Sequence, residues 1–173
     1  FADKVENLRP GGYLPEEHVK DMELDGVDVS IVFPTVGLLL YSVPDGDLLN
    51  SLFRTYNDWV AEFCQGAPDQ IKGVAMLNID DVQTGITELE RCAKMGLAGA
   101  MITVYPPPER GYDSPEYEPL WAAAQDLETP LNLHIGTNRP GPGQQFVDIE
   151  SVKPTFFTNV DYWVRESLGN MIF

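Results

Sequence analysis

The residues best suited to chemistry lie together in "PLNLHIGTNR", residues 130–139. His134 offers an imidazole, a side chain that ligates a metal in its neutral form. Arg139 offers a guanidinium whose forked N–H groups match a carboxylate bidentately. Asn138 and Thr137 are weaker candidates for the same work of holding a small substrate. A plainer reading stands beside each. A lone histidine in an apolar run is commonly a satisfied core residue, and a loop arginine in a chain with 27 acids against 11 bases commonly pairs with one of them.

What decides between these readings is the element beneath them. Along a strand, successive side chains alternate, so Leu131, Leu133 and Ile135 share one face while Asn132, His134 and Gly136 share the other. The apolar face belongs against helices. The small and polar face suits the inside of a closed barrel, where residues near the carboxyl end line the site. His134 is then expected inside and near the top, with Thr137, Asn138 and Arg139 beside it.

Three further apolar runs read as buried strands: "VSIVFP" at 29–34, "IKGVAMLNI" at 71–79 and "GAMITVY" at 99–105. Between them lie segments of helical period. Leu49, Phe53, Val60 and Phe63 belong to one wide stripe that also takes in Leu48 and Trp59; Val82, Ile86, Leu89 and Ala93 form a narrower one. Pro15 opens a short helix before the first strand, and Phe156, Phe157, Val160, Trp163, Val164 and Leu168 stripe another after the last. Asp80 or Asp81 is placed to cap the helix at 82, and Ser114 with Pro115 the one carrying Tyr117, Leu120 and Trp121. Gly26, Gly66 and Gly96 fall where helices end in a left-handed residue. The order α-β-α-β-α-β-α-β-α, with the last three strands roughly 30 residues apart, predicts a parallel sheet with flanking helices. The proline- and glycine-rich clusters "YPPPERGYDSP" and "NRPGPGQQ" follow strands directly, where α/β proteins put their sites. Thr35, Asn78, Thr103 and Tyr105 also fall at strand ends, and "YPPPERGY" offers flat aromatic and proline walls.

The formal charge of −16 argues against nucleic acid or an anionic membrane surface as partner, since both need a basic patch. Cys64 and Cys92 are far apart and outside any metal-binding spacing, which points to buried thiols in a reducing, cytoplasmic setting. The longest apolar stretch, "VSIVFPTVGLLLY", is broken by Pro34 and Gly37 and is too short to span a bilayer. The chain opens on Phe1 and closes on "GNMIF" within a helical pattern, so both ends are expected to be cut, and a missing signal peptide carries no information.

Taken together, "DMELDGVDVSIVFPT", "YNDWVAEFC", "IKGVAMLNIDD", "GLAGAMITVYPPP" and "EPLWAAAQDLETPLNLHIG" resemble the amidohydrolase-related family of metal-dependent hydrolases and decarboxylases, in its aminocarboxymuconate-semialdehyde decarboxylase branch. The resemblance runs from about residue 13 to the end and rests on order and spacing. It implies a (β/α)8 TIM barrel, of which residues 1–173 would be the central part: an incomplete barrel of about four parallel strands with flanking helices.

The resemblance further implies a divalent metal, usually zinc, and chemistry through a metal-bound water of lowered pKa. In the family the metal is held by an HxH pair on the first strand, a histidine on the fifth and an aspartate on the eighth, with a histidine on the sixth assisting. Only His134 matches, as the fifth-strand ligand. No HxH occurs, the only other histidine is His18 on an expected surface helix, and one imidazole cannot hold a catalytic zinc against water.

The expected activity is therefore that of a metal-dependent hydrolase or nonoxidative decarboxylase, a carbon–carbon lyase, acting on a small carboxylate-bearing or ring-containing substrate, in a homo-oligomer. The alternative is a noncatalytic barrel relative that binds or assembles without a complete metal site. A Rossmann or flavodoxin-like sheet is disfavoured because no strand leads into a glycine-rich phosphate loop.

Overall fold

A computed structural model describes residues 8–107, 109–139 and 154–172, the side chains of Asn138, 154–161 and Trp163 excepted. Four strands, β1 (Ser30–Val32), β2 (Ile71–Met76), β3 (Gly99–Tyr105) and β4 (Leu131–Asn138), form one sheet in the order β1-β2-β3-β4. Every neighbouring pair is parallel. Helices α1 (Pro15–Asp25), α2 (Gly46–Gln65), α3 (Val82–Lys94), α4 (Glu118–Asp126) and α5 (Pro154–Ile172) alternate with the strands. The result is a curled half-barrel, as the sequence predicts.

The two faces of the sheet separate as the period-2 pattern requires. Ala75, Ala100, Ile102 and Leu133 face the helices and join a core with Val60, Leu89 and Leu120. Val74, Met76 and Met101 lie on the opposite, concave face with Tyr41, Leu49 and Phe53. The curl is measurable at the mouth. Phe33, just past β1, brings its ring to 6.0 Å from that of His134 on β4. In a flat sheet those strands would stand roughly 14 Å apart, three steps of about 4.8 Å.

Punctuation follows local chemistry. The Asp81 side chain accepts the Thr84 N–H at 2.7 Å and starts α3, and Ser114 accepts from Glu116 N–H ahead of α4. Gly26 and Gly96 are left-handed, with φ of 70° and 85°. Gly66 is not: it ends α2 in ordinary helical geometry, φ −65°. Its reason is space, because a Cβ there would lie 2.3 Å from the Pro15 ring that opens α1.

Two further departures matter. The run "VGLLLY", to which the sequence reading assigns no element, forms a 3-10 helix, Val36–Ser42. Its Tyr41, 1% exposed, donates its hydroxyl to the Met101 and Leu77 carbonyls at 2.8 and 3.3 Å. The first strand is also shorter than "VSIVFP", so the edge of β2 above Gly73 lacks a neighbour. Asn57 of α2 fills the gap: fully buried, it accepts the Met76 N–H at 2.8 Å and donates to the Met76 carbonyl at 3.0 Å, as a strand would. The α2 stripe is wider than its buried face, leaving Leu48 and Trp59 52% and 43% exposed.

Cys64 and Cys92 are buried free thiols, as expected. Burial pushes the Cys92 thiol up to about 12. Among the described residues no helix is long and apolar enough to cross a membrane.

Candidate active site

His134 sits on the concave face near the carboxyl end of β4, opposite Thr103 of β3. Its neighbour Leu133 packs into the helix-side core, so alternation alone turns the imidazole inward. Its Nδ1 lies 2.6 Å from the carbonyl oxygen of Ile135. A carbonyl can only accept, so the proton of the neutral ring is assigned to Nδ1 and Nε2 keeps its lone pair. That is the state in which a histidine binds a metal through Nε2, with its other nitrogen fixed by an acceptor. The residue fits the role. Among the described residues, however, no group of three or more His, Cys, Asp or Glu side chains gathers to complete a metal site.

The strand changes course directly after His134. Thr103 pairs with His134, but Tyr105 pairs with Asn138, so two steps on β3 span four on β4. The bulge has Gly136 at φ 84°, a left-handed turn that favours glycine, with nothing near to crowd a larger residue. Thr137, fully buried, accepts the Val104 N–H with its hydroxyl at 2.8 Å and donates to the His134 carbonyl at 2.7 Å. Thr103 donates its hydroxyl to the Thr137 carbonyl. Neither threonine hydroxyl is left free for a substrate.

Arg139, its side chain only 8% exposed, is engaged with protein groups. Its Nε donates to Asp80 Oδ1 at 3.1 Å and its Nη2 to Asp80 Oδ2, while Nη1 donates to the carbonyls of Tyr41 at 2.9 Å and of Val43. Those bonds use four of the five guanidinium N–H groups. A bidentate grip on a substrate carboxylate is unavailable in this arrangement, and one N–H remains. Arg110 holds the same region from the other side, donating to the Ile79 and Asp80 carbonyls while lying over the Tyr117 ring. The loops after all four strands are thus tied together around the mouth.

The remaining candidates are dispersed. Asn138 closes β4, and its side chain lies outside the described residues, as does the loop at 140–153. Asn78 is buried and donates to Asn50 at 3.0 Å. It lines a cleft of about 270 Å³ between α2 and α3, together with Phe53 and Met76. Thr35 is exposed ahead of the 3-10 helix. Tyr112, from the loop read as a substrate wall, is 1% exposed and packs with Tyr117 and Trp121 in the helix-side core. The aromatic side chain that does reach the imidazole is Phe33, which the sequence reading passed over. Its signal was alternation: Val29, Ile31 and Phe33 share a face of the first run.

His18 is not a surface residue. Its Nδ1 donates to the Gly11 carbonyl at 2.9 Å, its Nε2 accepts from the Ser30 hydroxyl at 3.1 Å, and its ring meets Phe63 edge-on at 5.7 Å.

Comparison with known proteins agrees with this geometry. The amidohydrolase family model matches residues 7–163. The gamma-resorcylate decarboxylase of Rhizobium radiobacter is 28% identical over 127 residues, covering 70% of this chain and 38% of that enzyme. The chain therefore spans about two fifths of the length of this curated relative. The crystal structure of 2,6-dihydroxybenzoate decarboxylase from Rhizobium superposes with a TM-score of 0.68 at 23% identity, over 88% of this chain and 50% of that one. A dihydroxybenzoic acid decarboxylase from Polaromonas, with bound manganese and 2-nitroresorcinol, gives 0.61 at 22% identity, over 90% and 47%. Both carry the same half-barrel within their folds.

Proposed function

The chain belongs to the amidohydrolase family, and from that premise we propose that the whole protein is a divalent-metal-dependent nonoxidative decarboxylase of a small aromatic carboxylate. The observation that carries this reading is the state of His134. It sits at the carboxyl end of an inner-face strand, with Nδ1 held by the Ile135 carbonyl and Nε2 available. The names of the relatives favour decarboxylation over hydrolysis, and the same likeness weighs against a noncatalytic module.

The reaction breaks the bond between ring and carboxyl carbon, releases carbon dioxide and leaves a proton on the ring carbon, so no electron acceptor is needed. A divalent cation at His134 would supply positive charge to bind and orient substrate oxygens. Phe33 offers an aromatic face beside the imidazole for a flat ring. Arg139 keeps one N–H for a single-point contact with the substrate, and Asn138 is the adjacent candidate. The other metal ligands are proposed to come from parts of the barrel that this chain does not span.

Zinc is the ion the resemblance names, whereas manganese is bound in the Polaromonas structure. We place the protein in the cytoplasm with a small-molecule substrate, without nucleic acid or membrane, in keeping with its charge and its two free thiols. Self-association into a homo-oligomer is to be sought at Leu48 and Trp59 of α2.

The test is elemental analysis of the full-length protein as isolated, followed by incubation with 2,6-dihydroxybenzoate and detection of resorcinol and carbon dioxide. Bound metal with turnover that a chelator abolishes is the expected result, and the metal found distinguishes zinc from manganese. A metal-free protein, or one that hydrolyses amides but decarboxylates no aromatic acid, would overturn the reading.

A further inference from the structure

Why does β4 break its register directly after the one candidate ligand? The two extra residues between His134 and Asn138 detach this stretch from the β3 ladder. A bulge of this kind orphans main-chain groups, and a buried group without a partner is costly. Here two such groups, the Val104 N–H and the His134 carbonyl, are both satisfied by the single hydroxyl of Thr137. The Thr137 carbonyl is in turn held by the Thr103 hydroxyl. Thr137 is fully buried, so no water replaces it. With the chain pinned there and turned through the left-handed Gly136, the Ile135 carbonyl comes to 2.6 Å from His134 Nδ1. The acceptor that fixes the imidazole is thus a product of the bulge.

We propose that Thr137 is a positioning residue for His134: its hydroxyl locks the β4 bulge, which holds the imidazole as the Nδ1–H tautomer and presents Nε2 to a divalent cation. Free imidazole side chains in water favour the opposite tautomer, with the proton on Nε2. The bulge therefore has a preference to overcome. The second half of the proposal rests on His134 being a metal ligand; the first half does not.

The experiment uses the full-length protein with ¹⁵N-labelled histidine, wild type beside Thr137→Val and Thr137→Ser. In the metal-free wild type, the His134 ring nitrogens, assigned by loss of their signals in His134→Gln, should show the proton on Nδ1. Thr137→Val keeps the shape but removes the hydroxyl. It should move the proton toward Nε2 and weaken Zn²⁺ binding, measured by chelator competition, by about 10–100-fold, the usual range for losing a partner behind a metal ligand. Thr137→Ser should restore both readouts.

A wild-type His134 protonated on Nε2 overturns the proposal without any variant. So does a Val variant with unchanged tautomer and affinity, or a Ser variant that fails where the hydroxyl is present. Should the Val variant not fold, the wild-type spectrum and the Ser variant still decide. If the tautomer is as stated but His134→Gln binds Zn²⁺ as tightly as wild type, the positioning holds and the metal reading alone fails.

Discussion

The two histidines occupy opposite ends of the sheet and differ in how their nitrogens are used. His18 stands beside Ser30, where β1 begins, and both of its ring nitrogens are partnered, one donating to Gly11 and one accepting from Ser30. His134 stands near the end of β4, with one nitrogen held by the adjacent Ile135 carbonyl. Both are partly buried and both touch an aromatic ring, Phe63 for one and Phe33 for the other. Burial and packing therefore do not separate the structural histidine from the proposed ligand; the partnering of the second nitrogen is where the two differ. The placement agrees with the division of labour in barrels, where the amino-terminal face serves stability and the carboxyl-terminal face chemistry.

The sharpest way to break this contrast is His134→Ala in the full-length protein. Metal content and decarboxylation should both fall by more than the roughly 10–100-fold typical of losing an outer partner, since a ligand itself is removed. The thermal midpoint of the metal-free protein should shift by little, because the ring sits at an open mouth and leaves no buried group orphaned. Elemental analysis, an activity assay and a melt of the apo protein check the three parts. Unchanged metal and rate would make His134 a core histidine like His18.

That contrast was only half legible in the sequence. Alternation in "LNLHIG" was enough to turn His134 inward, and a strand followed by a capped helix was enough to locate β2 and α3, because those signals are local. The role of His18 depends on Gly11 and Ser30, seven and twelve residues away, so a helical pattern alone left it on the surface. The 3-10 helix at Val36–Ser42 was hidden for the same reason: its Tyr41 is buried by reaching carbonyls on β2's end and β3, 36 and 60 residues on. The bulge had a sequence signal in Gly136, an isolated glycine within a strand pattern. That Thr137 completes it required knowing which groups the slipped register orphans.

A second test asks whether the wall can be damaged without touching the mouth. Asn57→Ala should strip the Met76 N–H and carbonyl of their partners and remove a donor to Glu88. With two buried backbone groups left unsatisfied, a loss of about 3 kcal/mol is expected. Denaturant unfolding should register it, while the metal content of the folded fraction stays at the wild-type value. Metal loss in parallel with stability would mean that wall and mouth are one cooperative unit.

His18→Ala is the direct counterpart of the His134 variant and should give the inverse result. Ser30 is partly exposed and can recruit water, whereas the buried Gly11 carbonyl is left without its partner, so a loss of about 1–2 kcal/mol is expected. A modest fall in the midpoint, with metal content and rate unchanged, is the expected outcome. A change in metal affinity of tenfold or more would remove the distinction between the two residues.

The smallest effect expected is a pH dependence confined to the wall. Burial acts to raise the Glu88 carboxyl, but the hydrogen bonds from Arg91 and Asn57 outweigh it and hold the group below the ordinary value of 4.5. A carboxyl lowered in the folded state contributes stability above its unfolded pKa and loses it as pH falls through the folded one. The contribution of Glu88 should therefore be complete at neutral pH and decline below about 4.5. Glu88→Gln keeps an oxygen for Asn57 but loses the charge that faces Arg91, so it should melt lower than wild type near neutrality. The difference should narrow on acidification from about pH 5 to about pH 3. The melts are best run on metal-free protein, since acid also protonates metal ligands and would add the mouth's own pH dependence to that of the wall. A gap that widened on acidification would reverse the sign and place Glu88 among carboxyls that folding raises.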